Sequence, residues 1–368
     1  MRCIYFSKCG SCTLHNLTYK EQLELKSERI KESFKEFIND FDLFASKESS
    51  FRDRAEFRII HSKNSISYAM YEITGSKKLL SIKECKIVNP MIDGAMKALK
   101  IEIEKNPILK ERLFSVEFLS TSKKDLLTTL IYHKKIGKEW EDEAKRLSEK
   151  LDMKIVGRSR KVKIVIDKDY VEEELKIGDK KYKYRYLENS FTQPNSYINT
   201  QMISWAKEHS RDLKGDLLEL YCGHGNFTIP LSENFDKVLA TEISKTSIKS
   251  AIFNKELNKA HNISFVRLSS EELSRALEGE REFRRLKDID LNSYNFSTVF
   301  VDPPRAGLDD KTRDFIKKFN NIIYISCNPQ TLKRDLLDLH KHFKIERFAI
   351  FDQFPYTEHI ECGVLLKK

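Results

Sequence analysis

Between residues 216 and 366 short apolar runs recur along the chain: "DLLELY" (216–221), "KVLAT" (237–241), "ISFVR" (263–267), "STVFVD" (297–302), "IIYISC" (322–327), "RFAIFD" (347–352) and "CGVLL" (362–366). Helix-patterned segments separate the first six, for instance 245–258 and 329–341. Strands alternating with helices require crossover connections, and hence a parallel sheet covered on both faces. Only "QFPYTEHIE" lies between the last two runs. That is too short for a helical crossover, so the final strand is expected to be antiparallel. No other feature restricts the fold as tightly.

The first half is less regular. Helical signals cover 19–38, 90–105 and 139–150, and strand candidates fall at 54–61, 66–73, 115–120, 126–133 and 161–166. This pattern predicts an α+β domain. The stretch 176–196 is expected to join the halves and lead into a helix at 197–209, while 279–295 reads as a charged insertion. A chain of 368 residues exceeds one ordinary core, and the expected division is 1–185 and 186–368. No stretch approaches the ~20 apolar residues that span a bilayer, and no apolar leader opens the chain. A cytoplasmic protein with no membrane association is expected, and no protein partner is implied. The net charge of +10 is lopsided: residues 1–190 hold 40 Lys and Arg against 31 Asp and Glu, while the remainder holds 26 against 25. A basic surplus confined to one half suits a polyanion such as nucleic acid.

"LLELYCGHGNFTIPL" reads as a strand, a turn carrying Gly223 and Gly225, and a helix. Glycines there let backbone approach a ligand. Glu242 ends the next strand nineteen residues past Gly223, about where an acidic residue accepts hydrogen bonds from ribose hydroxyls. Thr228 replaces the third glycine of a dinucleotide fingerprint, and the form suits S-adenosylmethionine, whose sulfonium needs no pyrophosphate cradle.

Asp302 ends the fourth strand in "VFVDPPRAGL" and Cys327 the fifth in "YISCNPQTL". Ligands bind outside the carboxyl ends of such strands, so both should face one crevice. A thiol just before a helix N-terminus is expected to favour its thiolate. A methyltransferase needs such a thiolate when the acceptor is the weakly nucleophilic C5 of uracil: addition at C6 places electron density on C5. A base must then remove the C5 proton. "YTEHIECGVLL" offers Glu358, His359 and Glu361; Glu361, which enters the last strand directly, is the choice.

These strings resemble the RNA uracil-C5-methyltransferases, in particular the type that makes ribothymidine in the T loop of tRNA. The resemblance runs from about residue 50 to the end, through "RAEFRI", "LIYHKKIGKEW", "ENSFTQPN", "LLELYCGHGNF", "ATEIS", "VFVDPPRAGLD", "YISCNPQTL" and "FDQFPYTEHIECGVLL". It implies a Rossmann-like class I methyltransferase domain with a seven-stranded sheet, preceded by an RNA-binding α+β domain. Cofactor contacts are implied at Gln193, Tyr221, Asn226, Glu242 and Asp302, the nucleophile at Cys327 and the proton acceptor at Glu361. The implied partner is the tRNA T arm, or another RNA with a T-arm-like loop, with Arg52, Arg54 and Arg58 among the candidate phosphate contacts. A ribosomal-RNA uridine C5-methyltransferase and a non-catalytic RNA-folding module are the alternatives.

Seven cysteines scattered over such a chain argue against a disulfide framework. Cys3, Cys9 and Cys12 form either an incomplete metal site or a redox device. The cluster is a departure from the tRNA type. It resembles instead the ribosomal-RNA branch of the superfamily, which carries a [4Fe–4S] cluster. By that resemblance Cys85, in "SIKECKIVNP" and 72 intervening residues after Cys12, is the fourth ligand. Four thiolates also suit zinc.

Overall fold

The structure, a computed structural model, describes every residue except Asn64 and Ser76. The second half builds an eight-stranded sheet in the order Asp42–Phe44, Lys344–Phe351, Glu361–Lys367, Asn321–Ser326, Phe296–Val301, Asp216–Leu220, Val238–Thr241 and Ile263–Val266. Glu361–Lys367 runs antiparallel to both neighbours, and the other pairings are parallel. All seven expected strands, the reversed last one among them, are therefore present.

The eighth strand, Asp42–Phe44, joins the edge from the far end of the chain. It is held by stacking of Phe44 on Phe351 at 4.8 Å and by the Trp205 Nε1 donation to Asp42 Oδ2 at 3.3 Å.

Alternation along these strands feeds two apolar layers. Leu217, Phe300 and Ile323 meet Ile198, Met202 and Ala206 of the helix Ser196–Ser210. Leu218, Leu220, Val299 and Val301 meet the helices Asp310–Ile316 and Pro329–Leu339. The N-terminal helix, Tyr19–Phe34, joins this second layer through Ile30 and Phe34. A capping box between Thr18 and Glu21 starts it. It ends at Phe34, short of the expected residue 38, and runs out in a turn in which the Phe37 and Ile38 N–H groups both donate to the Phe34 carbonyl.

The first half forms a seven-stranded sheet, ordered Leu79–Ile82, Ile66–Tyr71, Arg54–His61, Leu113–Ser120, Leu126–Tyr132, Lys154–Ser159 and Val162–Ile166. All pairings are antiparallel except Leu126–Tyr132 with Lys154–Ser159, which the helix Lys138–Leu151 connects as a crossover. Trp140 of that helix lies against Gly157, where an added Cβ would come within 2.2 Å of the indole.

The segment 176–196 is more than a connector. Tyr170–Ile177 and Lys180–Leu187 form an antiparallel hairpin, turning at Gly178 with φ +59°. Its inward Val171, Leu175, Tyr182, Tyr184 and Tyr186 pack into the Ser196–Ser210 layer of the C-terminal sheet. Among the described residues no helix is long and apolar enough to cross a membrane.

Candidate active site

The strand Asp216–Leu220 ends in a turn with three residues at positive φ: Tyr221 at +62°, Gly223 at +55° and Gly225 at +85°. Gly225 is doubly constrained, because an added Cβ would also stand 3.2 Å from Phe265 and 3.3 Å from Ile229. The expected helix after the turn is a single turn, Thr228–Leu231, continued by a 3₁₀ turn at Ser232–Asn234. Pro230 within it lacks an N–H.

Glu242 is anchored at this turn. Its Oε2 accepts from Gly223 N at 3.2 Å and its Oε1 from Ser244 N at 2.7 Å. Asn226 exchanges two amide hydrogen bonds with Asn199, at 2.8 and 2.9 Å, in a buried pair. The Tyr221 hydroxyl lies 3.3 Å from the Ser270 hydroxyl. Gln193 Oε1 accepts from Gln353 Nε2 at 2.7 Å.

Asp302 follows the strand Phe296–Val301, and Cys327 follows Asn321–Ser326 and precedes the helix Pro329–Leu339. Glu361 opens Glu361–Lys367, whose Cys362 is the register partner of Ser326. One step further along the two strands sets Cys327 opposite Glu361. The loop carrying Arg305 is tied to the helix start: its carbonyl accepts from Asn328 Nδ2 at 3.0 Å and Thr331 Oγ1 at 3.3 Å.

Electrostatics couple these groups. Burial, then Asp302, pushes the Glu361 carboxyl up to about 8, with Arg305 opposing. Burial pushes Asp302 up to about 7. The expected depression of the Cys327 thiol is not found. Burial, then Glu361 and Asp302, raise it to about 11, outweighing Arg305 and its own backbone N–H. Desolvation of the thiol, together with the two carboxylates beside it, disfavours the thiolate more than one helix terminus and Arg305 favour it. Glu358 and His359, the other base candidates, are exposed, and Glu358 pairs with Arg29 at 3.5 Å.

Three neighbours escape the sequence reading. Glu219 is buried inside an apolar strand, with Oε2 lacking a hydrogen-bond partner and its carboxyl raised to about 8 by burial. Gln353, fully buried, holds Gln193. Arg305 is the cation facing the two acids and the thiol. For Gln353 and Arg305 the signal is their place in "FDQFPY" and "DPPRAG"; a lone Glu within "DLLEL" gives none.

The arginines expected at phosphates are largely occupied. Arg54 pairs with Glu117 and donates to the Ser190 carbonyl. Arg52 Nε donates to the Arg54 carbonyl at 2.9 Å. Arg58 lies over the Phe114 ring at 3.6 Å.

Cys3, Cys9, Cys12 and Cys85 are free thiols lining one cavity of about 310 Å³, which Arg305, Phe354 and His359 also line. Cys12 is pushed up to about 12 by burial and then by Cys85, Cys9 and Cys3. Burial also lifts Cys85, to about 11. Among the described residues, however, no group of three or more His, Cys, Asp or Glu side chains is placed to hold a metal ion.

A mostly parallel sheet with a reversed last strand, a glycine turn at its centre and an acid ending the next strand together define a Rossmann-like methyltransferase. The family model for tRNA (uracil-5-)-methyltransferase matches residues 18–368, and the chain belongs to that family. It is 53% identical over 374 residues to a tRNA/tmRNA (uracil-C(5))-methyltransferase of Aliarcobacter butzleri, covering 100% of this chain and 99% of that protein. A protein of the same description from a Nitratiruptor species is 51% identical over 368 residues, covering 100% of both chains. The crystal structure of Pyrococcus abyssi tRNA (uracil-54, C5)-methyltransferase in complex with S-adenosyl-L-homocysteine superposes with a TM-score of 0.74 at 24% identity, over 97% of this chain and 85% of that one, a likeness of fold. Cys3, Cys9 and Cys12 precede the segment that the family model matches.

Proposed function

We propose that the chain transfers the methyl group of S-adenosylmethionine to C5 of a uridine in the T loop of tRNA, forming ribothymidine. The observation that carries this reading is the meeting of Cys327, Glu361 and Asp302 at adjoining strand ends beside the glycine turn. The names of the relatives support tRNA over ribosomal RNA as substrate, and their mention of tmRNA supports a second RNA with a T-arm-like loop. They also speak against a non-catalytic folding module.

The cradle fits the cofactor. Backbone at Gly223 is open, with nothing within 4 Å of where a Cβ would stand, and Gln353 Oε1 is buried without a partner. Gln193, Tyr221, Asn226, Glu242 and Asp302 would hold it. When bound it supplies an electrophilic methyl group and a positive charge.

Cys327, as thiolate, adds to uracil C6, and the electron pair of the C5–C6 double bond is displaced onto C5 and O4. C5 then takes the methyl group as its bond to the sulfonium sulfur breaks, the electron pair staying on that sulfur, which departs as a neutral thioether. Glu361 removes the C5 proton, and the electrons of that C–H bond rebuild the C5–C6 double bond as the Cys327 sulfur leaves. The base must leave its stack to reach Cys327. Within residues 1–185 the seven-stranded sheet would grip the RNA backbone, and the eight-stranded sheet built mainly from 186–368 would carry the chemistry, in the cytoplasm.

Cys3, Cys9, Cys12 and Cys85 fit a [4Fe–4S] cluster in number and donor chemistry, with zinc as the alternative. Binding of thiolates to a metal would offset the burial, and then the mutual repulsion, that lift Cys12. The metal would be structural, pinning the N-terminal segment to the first sheet. Anaerobic purification with iron, sulfide and zinc analysis tests this; stoichiometric zinc without sulfide refutes the cluster.

The reaction itself is tested with labelled S-adenosylmethionine and tRNA transcripts. Label is expected at C5 of the T-loop uridine and absent when that uridine is replaced by cytidine. Label in ribosomal RNA alone would overturn the reading.

A further inference from the structure

Phe351 and Glu361 are register partners, so residues 352–360 form a connection that closes on Glu361. The same loop carries Gln353, which holds Gln193. Its geometry therefore sets two parts of the site at once. Tyr356 within it sits at φ +64°, a conformation that a non-glycine residue keeps only when its surroundings hold it there.

The surroundings are one face of the N-terminal helix, at positions 19, 22 and 26. Lys26 Nζ donates to Asp352 Oδ1 at 2.6 Å and to the Phe354 carbonyl at 3.1 Å. The Tyr19 hydroxyl donates to Asp352 Oδ2 at 2.8 Å. Gln22 Oε1 accepts from Tyr356 N at 2.8 Å, and its Nε2 donates to the Leu14 and Leu17 carbonyls at 3.2 and 3.0 Å. Those two donations fix which way the amide points.

Lys26 is 2% exposed, and Gln22 and Asp352 are 0% exposed. Burying a lysine and a glutamine costs stability that leucines at the same positions would not. What leucines could not do is hold three successive parts of one loop: a carboxylate, a carbonyl and an N–H.

We propose that Lys26 and Gln22 are positioning residues, which hold the loop 352–360 so that Glu361 meets the C5 proton and Gln353 meets Gln193. The proposal rests on the role assigned to Glu361 above.

The test separates adduct formation from its resolution. RNA carrying 5-fluorouracil at the target is trapped after methyl transfer, since fluorine at C5 cannot be removed as a proton; trapping needs Cys327 but not Glu361. Lys26→Met alone leaves a buried Asp352 carboxylate with no cation and only the Tyr19 hydroxyl as side-chain partner, so Lys26→Met/Asp352→Asn is made beside it to secure a folded protein.

At saturating cofactor the double variant is expected to trap fluorinated RNA within about threefold of the parent rate, while turnover on ordinary tRNA falls about tenfold or more. Covalent complex with ordinary tRNA should accumulate. Gln22→Leu is expected to show the same split. Turnover within about twofold of the parent, or trapping and turnover falling together, overturns the proposal. Failure of the parent itself to trap fluorinated RNA would speak against Cys327 instead, a separate result.

Discussion

Cys327 and Glu361 stand at the ends of neighbouring antiparallel strands, one step beyond the register pair Ser326–Cys362. The sheet sets their approach, and burial, then the Glu361 carboxylate, raises the proton affinity of the thiol. The proposed nucleophile and base, which would act at different steps, are thereby held at adjoining strand ends.

The acid cluster predicts a pH profile. In the proposed roles Glu361, raised to about 8, and the Cys327 thiol, raised to about 11, must lose protons to act, so turnover should rise from about pH 7 and still be rising at about pH 9. The limb belongs to the coupled set rather than to one residue. A rate that falls over that range contradicts the assignment.

Stability should run the other way. Glu219 and Glu361 are raised from 4.5 to about 8 in the folded protein. Between these values the folded state binds more protons than the unfolded one, so stability falls as pH rises from about 4.5 to about 8. The melting temperature of the cofactor-free protein should drop across that window. Glu219→Gln, neutral at every pH, should flatten the drop; an unchanged slope contradicts burial of a titrating Glu219.

Gly223→Ala and Gly225→Ala should differ. Both impose a left-handed backbone on alanine, at about 1–2 kcal/mol, but only Gly225 also meets Phe265 and Ile229. Gly225→Ala should raise the KM for the cofactor more. Equal KM values for the two variants would mean that the tight side of the turn does not shape the cofactor site.

Gly157→Ala tests the first half alone. Its Cβ would enter the Trp140 ring, so unfolding by denaturant should show a loss of about 1–3 kcal/mol. A loss below about 0.5 kcal/mol would mean the helix Lys138–Leu151 shifts freely on its sheet.

Much of this molecule is legible in its sequence, for identifiable reasons. The helices Pro90–Lys105 and Lys245–Asn258 start where expected because Asn89 with Pro90, and Ser244, are local start signals. The three residues Asp42–Phe44 pair with a strand some 300 residues away, and no local pattern marks that. The hairpin arm "KYKYRYL" does alternate with period two; its Lys–Tyr composition conceals a strand whose tyrosines are the buried face. In the site, Asp302, Cys327 and Glu361 are readable from motifs at strand ends. Gln22 and Lys26 are not, because a polar helix face reads as solvated until a loop 326 residues away covers it.

The central claim is that Cys327 is the residue of attachment. The direct measurement is mass spectrometry of the complex formed with 5-fluorouracil-substituted tRNA and S-adenosylmethionine, after digestion of both protein and RNA. The account predicts a methylated fluorouridine nucleotide on the peptide bearing Cys327, and no complex with Cys327→Ala. An adduct on the peptide bearing Cys222 or Cys362, or methylated product from Cys327→Ala at the parent rate, would contradict it.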